Sequence, residues 1–187
     1  NFEADSLPGY PEYYGGFAEY LASRGFTALT YDYRGIGRSR RIALRDIRAG
    51  MRDWAMLDAA GALDFLDHSL PGARLSLVGH SFGGQITGII PGNERITSVL
   101  TVGSQSGYWR HWSGFGRAGM FFFSHALVPG SVALFGYLPA SLFGQGEDLP
   151  PGVAREWARW CRHPGYLVGD LGVHEEYARF CAPLRAC

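Results

Sequence analysis

Residues 74–90 read RLSLVGHSFGGQITGII. An apolar run, ARLSLVG (73–79), has the length and composition of a buried strand. A second run, SFGGQITGII (81–90), reads as a helix closed by Pro91-Gly92. Between them Gly79-His80-Ser81-Phe82-Gly83 matches G-x-S-x-G at a strand-to-helix junction. A serine on so sharp a turn takes strained backbone angles, and glycine two residues before and two after leaves room for chains that approach closely. The turn lifts the hydroxyl above the sheet, and the following helix aims its positive end at the site. Ser81 is therefore the candidate nucleophile. The N–H of Phe82 is a candidate oxyanion donor, and Gly79, His80 and Gly83 complete the elbow.

Outward from the elbow, elements alternate. Residues 11–24 carry Tyr14, Phe17, Ala18 and Leu21 at helical spacing, with Gly25 as a stop. FTALTYDY (26–33) is rich in strand formers and reads as a buried strand, with RGIGRS as the loop after it. Residues 46–69 place Ile47, Met51, Ala55, Ala59, Ala62 and Leu66 on one helical face, up to Pro71-Gly72. ITSVLTVG (96–103) is a further buried strand. This alternation predicts an α/β fold, a mostly parallel sheet with helices on both faces.

After Gly103 the pattern changes. Residues 104–181 are rich in Trp, Phe, Tyr, Gly and Pro. Their clearest element is VAREWARWC (153–161), with Val153, Trp157, Trp160 and Cys161 on one face between Pro150-Pro151 and Pro164-Gly165. The reading is an α/β core over 1–103, a helical, aromatic-rich lid over 104–181, and the start of a further core strand over 182–187.

The totals narrow the function. Seventeen basic residues balance seventeen acidic ones, mixed along the chain, so no nucleic-acid partner is expected. The three cysteines, Cys161, Cys181 and Cys187, form no C-x-x-C and are too few and too late for a disulfide framework or zinc site. The longest apolar region, 118–144, contains Pro129, Gly130 and Pro139. These are expected to break it short of the roughly 20 residues a membrane helix needs. No membrane span and a cytoplasmic setting are the expectations.

TYDYRGIGRS (30–39) and VGHSFGGQ (78–85) resemble, in order and spacing, the D-x-R-G-x-G-x-S loop and the nucleophile elbow of the α/β-hydrolases. More narrowly, SGYWRHWSG (106–114), GYLPASLFGQGEDLP (136–150) and VAREWARWCRHPGYL (153–167) resemble a bacterial group of predicted α/β-hydrolases. That group is similar to serine aminopeptidase-like and monoacylglycerol-lipase-like enzymes. The resemblance covers nearly the whole chain. It implies the α/β-hydrolase fold with a lid and a Ser81 nucleophile acting on a small-molecule ester or acyl substrate. It also implies that no metal or organic cofactor is required.

The chain departs from that pattern twice. Only ten residues precede the helix at 11–24, which leaves the second oxyanion donor unplaced. The family's acid and base follow the serine in the order Ser, Asp or Glu, His, after later strands. By that order they are expected beyond Cys187, in a protein longer than this chain.

Other residues have bland readings. His80 lies inside the elbow with its side chain expected to face away from the hydroxyl. His163 sits at a helix end, and Asp170 and His174 are one helical turn apart, a spacing common for surface contacts. Asp32 is expected to hold its own turn through backbone N–H groups or Arg34. Arg34, Arg38, Arg40, Arg41 and Arg45 read as a solvated loop. Two functions stand: a serine hydrolase of carboxylic esters, and a catalytically incomplete hydrolase-like binding or scaffold protein.

Overall fold

The computed structural model describes residues 14–144 and 146–186. Helix α1 (Gly15–Ser23) comes first and buries none of its residues. The expected helix at 46–69 starts later. Gly50 is extended, and the Asp53 carboxylate accepts its N–H at 2.8 Å, so α2 (Met51–Asp53) begins one residue on. A π-helical stretch (Trp54–Ala59) and α3 (Ala60–Ser69) continue the same rod.

Strand β1 (Leu75–His80) enters the elbow and α4 (Phe82–Gln85) leaves it. The expected helix over 81–90 is thus one short α turn followed by a 3-10 turn, Thr87–Ile89. Strand β2 (Ile96–Val102) lies parallel to β1, pairing Leu77 with Val99 and Gly79 with Thr101. Then come α5 (Gly114–Phe122), α6 (Val128–Phe135), α7 (Pro151–Arg162), α8 (Tyr166–Leu171) and α9 (His174–Arg179). Strand β3 (Leu184–Ala186) lies parallel to β2 on its other edge, in the order β1-β2-β3.

Three expectations need correction. FTALTYDY (26–33) is not a strand: it has no ladder partner among the described residues, and Phe26, Leu29 and Tyr31 are exposed. Strand-forming side chains cannot make a strand without a neighbour to receive their N–H and C=O groups. Along β1 the described residues also cover the sheet on one face only: Leu75 and Gly79 are buried while Ser76, Val78 and His80 are exposed. Finally, Pro129 and Gly130 do not break the apolar region. A single helical run spans Gly114–Phe135, long and apolar enough by length and composition to cross a membrane. A π-helical stretch (Phe123–Leu127) precedes Pro129, whose missing N–H costs the run one helical bond; within that stretch the Ser124 carbonyl accepts from Arg162 instead.

The core is organised around α7. One side of this helix sends Val153, Trp160 and Cys161 into a cluster with Trp54, Leu63, Leu75, Ile86 and Val99, under the elbow. The other side packs Ala154 and Ala158 against Val128 and Val132 of α6. The aromatic segment is therefore continuous with the main core through α7 and layered outward through α6.

Candidate active site

Ser81 has φ 49° and ψ −116°, a conformation that side chains rarely adopt. Three contacts hold it there. Its N–H donates to the Val102 carbonyl at the end of β2 (2.8 Å). Its own carbonyl accepts from the N–H groups of Gly84 (3.1 Å) and Gln85 (3.2 Å). The close approach falls on two glycines. A Cβ on Gly79 would stand 2.5 Å from the Gly84 Cα, and one on Gly84 would overlap Ser104 and stand 2.9 Å from the Thr101 side chain. Gly83 is different from what the motif suggests. A Cβ there would meet only the Tyr33 hydroxyl, at 3.9 Å, so the second crowded position is Gly84.

The Ser81 side chain is exposed and makes no capping bond to α4. The Phe82 N–H, first in α4, has no acceptor within its own helix by position. A hydroxyl and an unspent backbone donor thus share one turn. The Phe82 ring faces the interior, edge-on to Tyr33 and Trp54 at 5.8 Å and roughly parallel to Trp160 at 6.3 Å. Tyr33 in turn stacks on Trp54 at 4.8 Å. This aromatic column supports the elbow from below. Burial pushes the Tyr33 phenol far above its usual range, so it stays protonated.

Gln85, which the sequence did not single out, ties the elbow to distant parts of the chain. Its side chain donates to the Gln105 carbonyl (2.6 Å) and accepts from the Tyr166 hydroxyl (3.2 Å), and its carbonyl accepts from the Tyr177 hydroxyl. Tyr166 also has a positive φ, 48°. Only its position four residues after Ser81, one helical turn on, could have drawn notice to Gln85 in the sequence.

Other polar side chains, several of the sequence candidates among them, have partners elsewhere. His80 Nδ1 meets the Tyr14 hydroxyl at 2.9 Å. His68 bonds the Asp64 carbonyl at 2.7 Å, and His125 lies against Ser124 and the Phe121 carbonyl. His163 accepts from the Gly165 N–H at 3.1 Å. Asp170 takes a guanidinium, its two oxygens 3.0 and 2.8 Å from Arg159 Nε, rather than His174. Asp32 holds its turn as expected, accepting from the Arg38 N–H at 2.9 Å, while Arg34 pairs with Asp58. Among the described residues, no histidine hydrogen-bonds the Ser81 hydroxyl. A shallow concavity of about 570 Å³ is lined by Tyr31, Asp32, Arg34, Asp58 and Phe65, and Ser81 is not in its wall.

The strained serine between β1 and α4 and the parallel strands agree with the family comparison. The model of the alpha/beta hydrolase fold family matches residues 6–128, more than half of the chain, and the chain belongs to that family. No curated protein and no solved structure gives a significant match.

Proposed function

We propose that this α/β-hydrolase-fold protein is a serine hydrolase of carboxylic esters with Ser81 as its nucleophile. The observation that carries the reading is the backbone of Ser81, φ 49° at the end of β1, directly before the unspent Phe82 N–H. Strain of about 1–3 kcal/mol is kept where the surrounding fold enforces it, and such residues cluster at functional sites. In the reaction, Ser81 Oγ bonds to the acyl carbon as its proton passes to a base. The carbonyl oxygen becomes an oxyanion that Phe82 N–H stabilises. The alcohol leaves with a proton, and water then releases the acid from the acyl-serine. Neither metal nor organic cofactor takes part in these steps.

Residues 104–181 act in this reading as the lid, and the aromatic and aliphatic content of the segment favours apolar acyl groups over charged ones. The proposed setting is cytoplasmic. The test is hydrolysis of p-nitrophenyl acyl esters of increasing chain length, with Ser81→Ala beside the parent. Hydrolysis lost in Ser81→Ala is the expected result; equal rates in both proteins overturn the reading.

One observation favours a second reading, a hydrolase-like binding or scaffold protein. The described histidines with polar contacts spend them away from Ser81. An elbow and its oxyanion donor without a partnered base retain only residual catalysis. A folded chain that binds an acyl ester without turning it over would support this alternative.

A further inference from the structure

The helical run Gly114–Phe135 is the most apolar long helix of the described chain, yet only 17% of its most apolar 18-residue stretch is buried. Its inner side is committed: Ser124, Val128 and Val132 are buried against α7, and the Ser124 carbonyl accepts from Arg162 at 2.6 Å. Its outer side is bare. Phe115 is 97% exposed, and Phe122, Leu134 and Phe135 are exposed with it. Exposed apolar patches of this kind mark a surface that meets something.

The charges around the patch identify what it meets. From Arg95 to Gly146 the chain has no acidic residue, while Arg110 and Arg117 flank the start of the helix. Arg110 lies over the Trp109 ring, and Arg117 bonds the carbonyls of Trp112 and Arg110. Neither arginine has a carboxylate within ion-pair distance among the described residues. A second copy of the chain would fit less well, because a two-fold contact lays the patch on itself and residues 95–146 bring no carboxylate to meet these arginines. A phospholipid surface bearing negative charge fits both properties. Phenylalanine and leucine enter the acyl boundary, tryptophans sit at the headgroup level, and arginines meet the phosphates. The helix does not cross the bilayer, since crossing would strip its inner side from α7.

We infer that the outer face of residues 114–135, with Trp109, Arg110 and Trp112, is a docking surface for an anionic phospholipid membrane, on which the helix lies in the plane of the interface. The reading concerns association and is independent of any reaction at Ser81.

Co-sedimentation of the full chain with vesicles of phosphatidylcholine plus phosphatidylserine, and with vesicles of phosphatidylcholine alone, tests it. The expected result is binding to the anionic vesicles that weakens with salt. Phe115→Ser, whose side chain is almost wholly exposed, lowers the affinity about tenfold, and Arg110→Gln lowers it roughly fivefold. Failure of the folded protein to bind, equal binding to both vesicle types, or binding untouched by both substitutions overturns the inference. So does a homodimer, seen by light scattering, that Phe115→Ser dissolves while vesicle binding is absent.

Discussion

Gly79 and Gly84 face each other across the turn at Ser81, so closely that a Cβ on Gly79 would lie 2.5 Å from the Gly84 Cα. Strand and helix can meet at that angle only if both positions lack a side chain. Gly79→Ala therefore forces backbone apart and is expected to cost several kcal/mol, on the order of the larger overpacking penalties. Gly84→Ala meets Ser104 and Thr101 and has the same sign. Gly83→Ala adds a methyl in open space within α4 and is expected to be neutral or to stabilise by up to about 1 kcal/mol. Urea midpoints of the three variants check this ordering.

Ser81 holds an unfavourable conformation that glycine would accept without strain. Relief of about 1–3 kcal/mol, less the extra chain entropy of glycine, leaves Ser81→Gly more stable than the parent by about 1 kcal/mol. Ser81→Ala keeps the strain and is expected to match the parent within about 0.5 kcal/mol. Thermal unfolding distinguishes the two. A Ser81→Gly that is no more stable than Ser81→Ala would contradict the strained elbow.

Two buried tryptophans differ in one hydrogen bond. Trp54 Nε1 donates to the Arg34 carbonyl at 3.0 Å, whereas Trp160 Nε1 has no partner among the described residues. Replacing each by Phe removes similar area but only one satisfied donor. Trp54→Phe is expected to cost about 1 kcal/mol more than Trp160→Phe, the net worth of a typical hydrogen bond. Equal losses in denaturant unfolding would argue against this assignment.

Burial pushes the Cys161 thiol up to about 12 and raises the phenols of Tyr33, Tyr166 and Tyr177. All four groups keep their protons in the native state at pH values where the unfolded chain has begun to lose them. The unfolded state then binds fewer protons, so stability falls as pH rises. The contribution of these groups is full below about pH 8 and is lost from about pH 9 upward, first through the thiol and then the phenols, each by up to about 1.4 kcal/mol per pH unit. Unfolding free energies from pH 7 to 11 check the sign. In the same range a thiol reagent is expected to modify exposed Cys181 quickly and buried Cys161 only on unfolding.

The elbow was legible because its constraint is local: a strand former, a glycine, a serine and a helix opener within a few residues. So were β1, β2 and α7, whose apolar spacing matches the faces they bury. Features that depend on partners distant in the chain are not legible in this way. FTALTYDY has strand composition, but a strand also needs a neighbour, and none of the described residues supplies one. Pro129 and Gly130 looked like breakers, yet a π-helical stretch just before them sets proline in the first turn of α6. Crowding at Gly84 rather than Gly83 depends on where Ser104 and Thr101 fall, which no motif records. The links from Gln85 to Tyr166 and Tyr177 join residues too far apart in sequence for any periodicity to reveal.

The central claim is that Ser81 is the reactive nucleophile of a hydrolase fold. Its most direct test is incubation of the folded protein with a fluorophosphonate, followed by peptide mass spectrometry, with Ser81→Ala beside it. The account predicts one adduct, on Ser81, that forms slowly because no described histidine contacts the hydroxyl, and that is absent from Ser81→Ala. An adduct on another residue, or none on a protein shown to be folded, would contradict it.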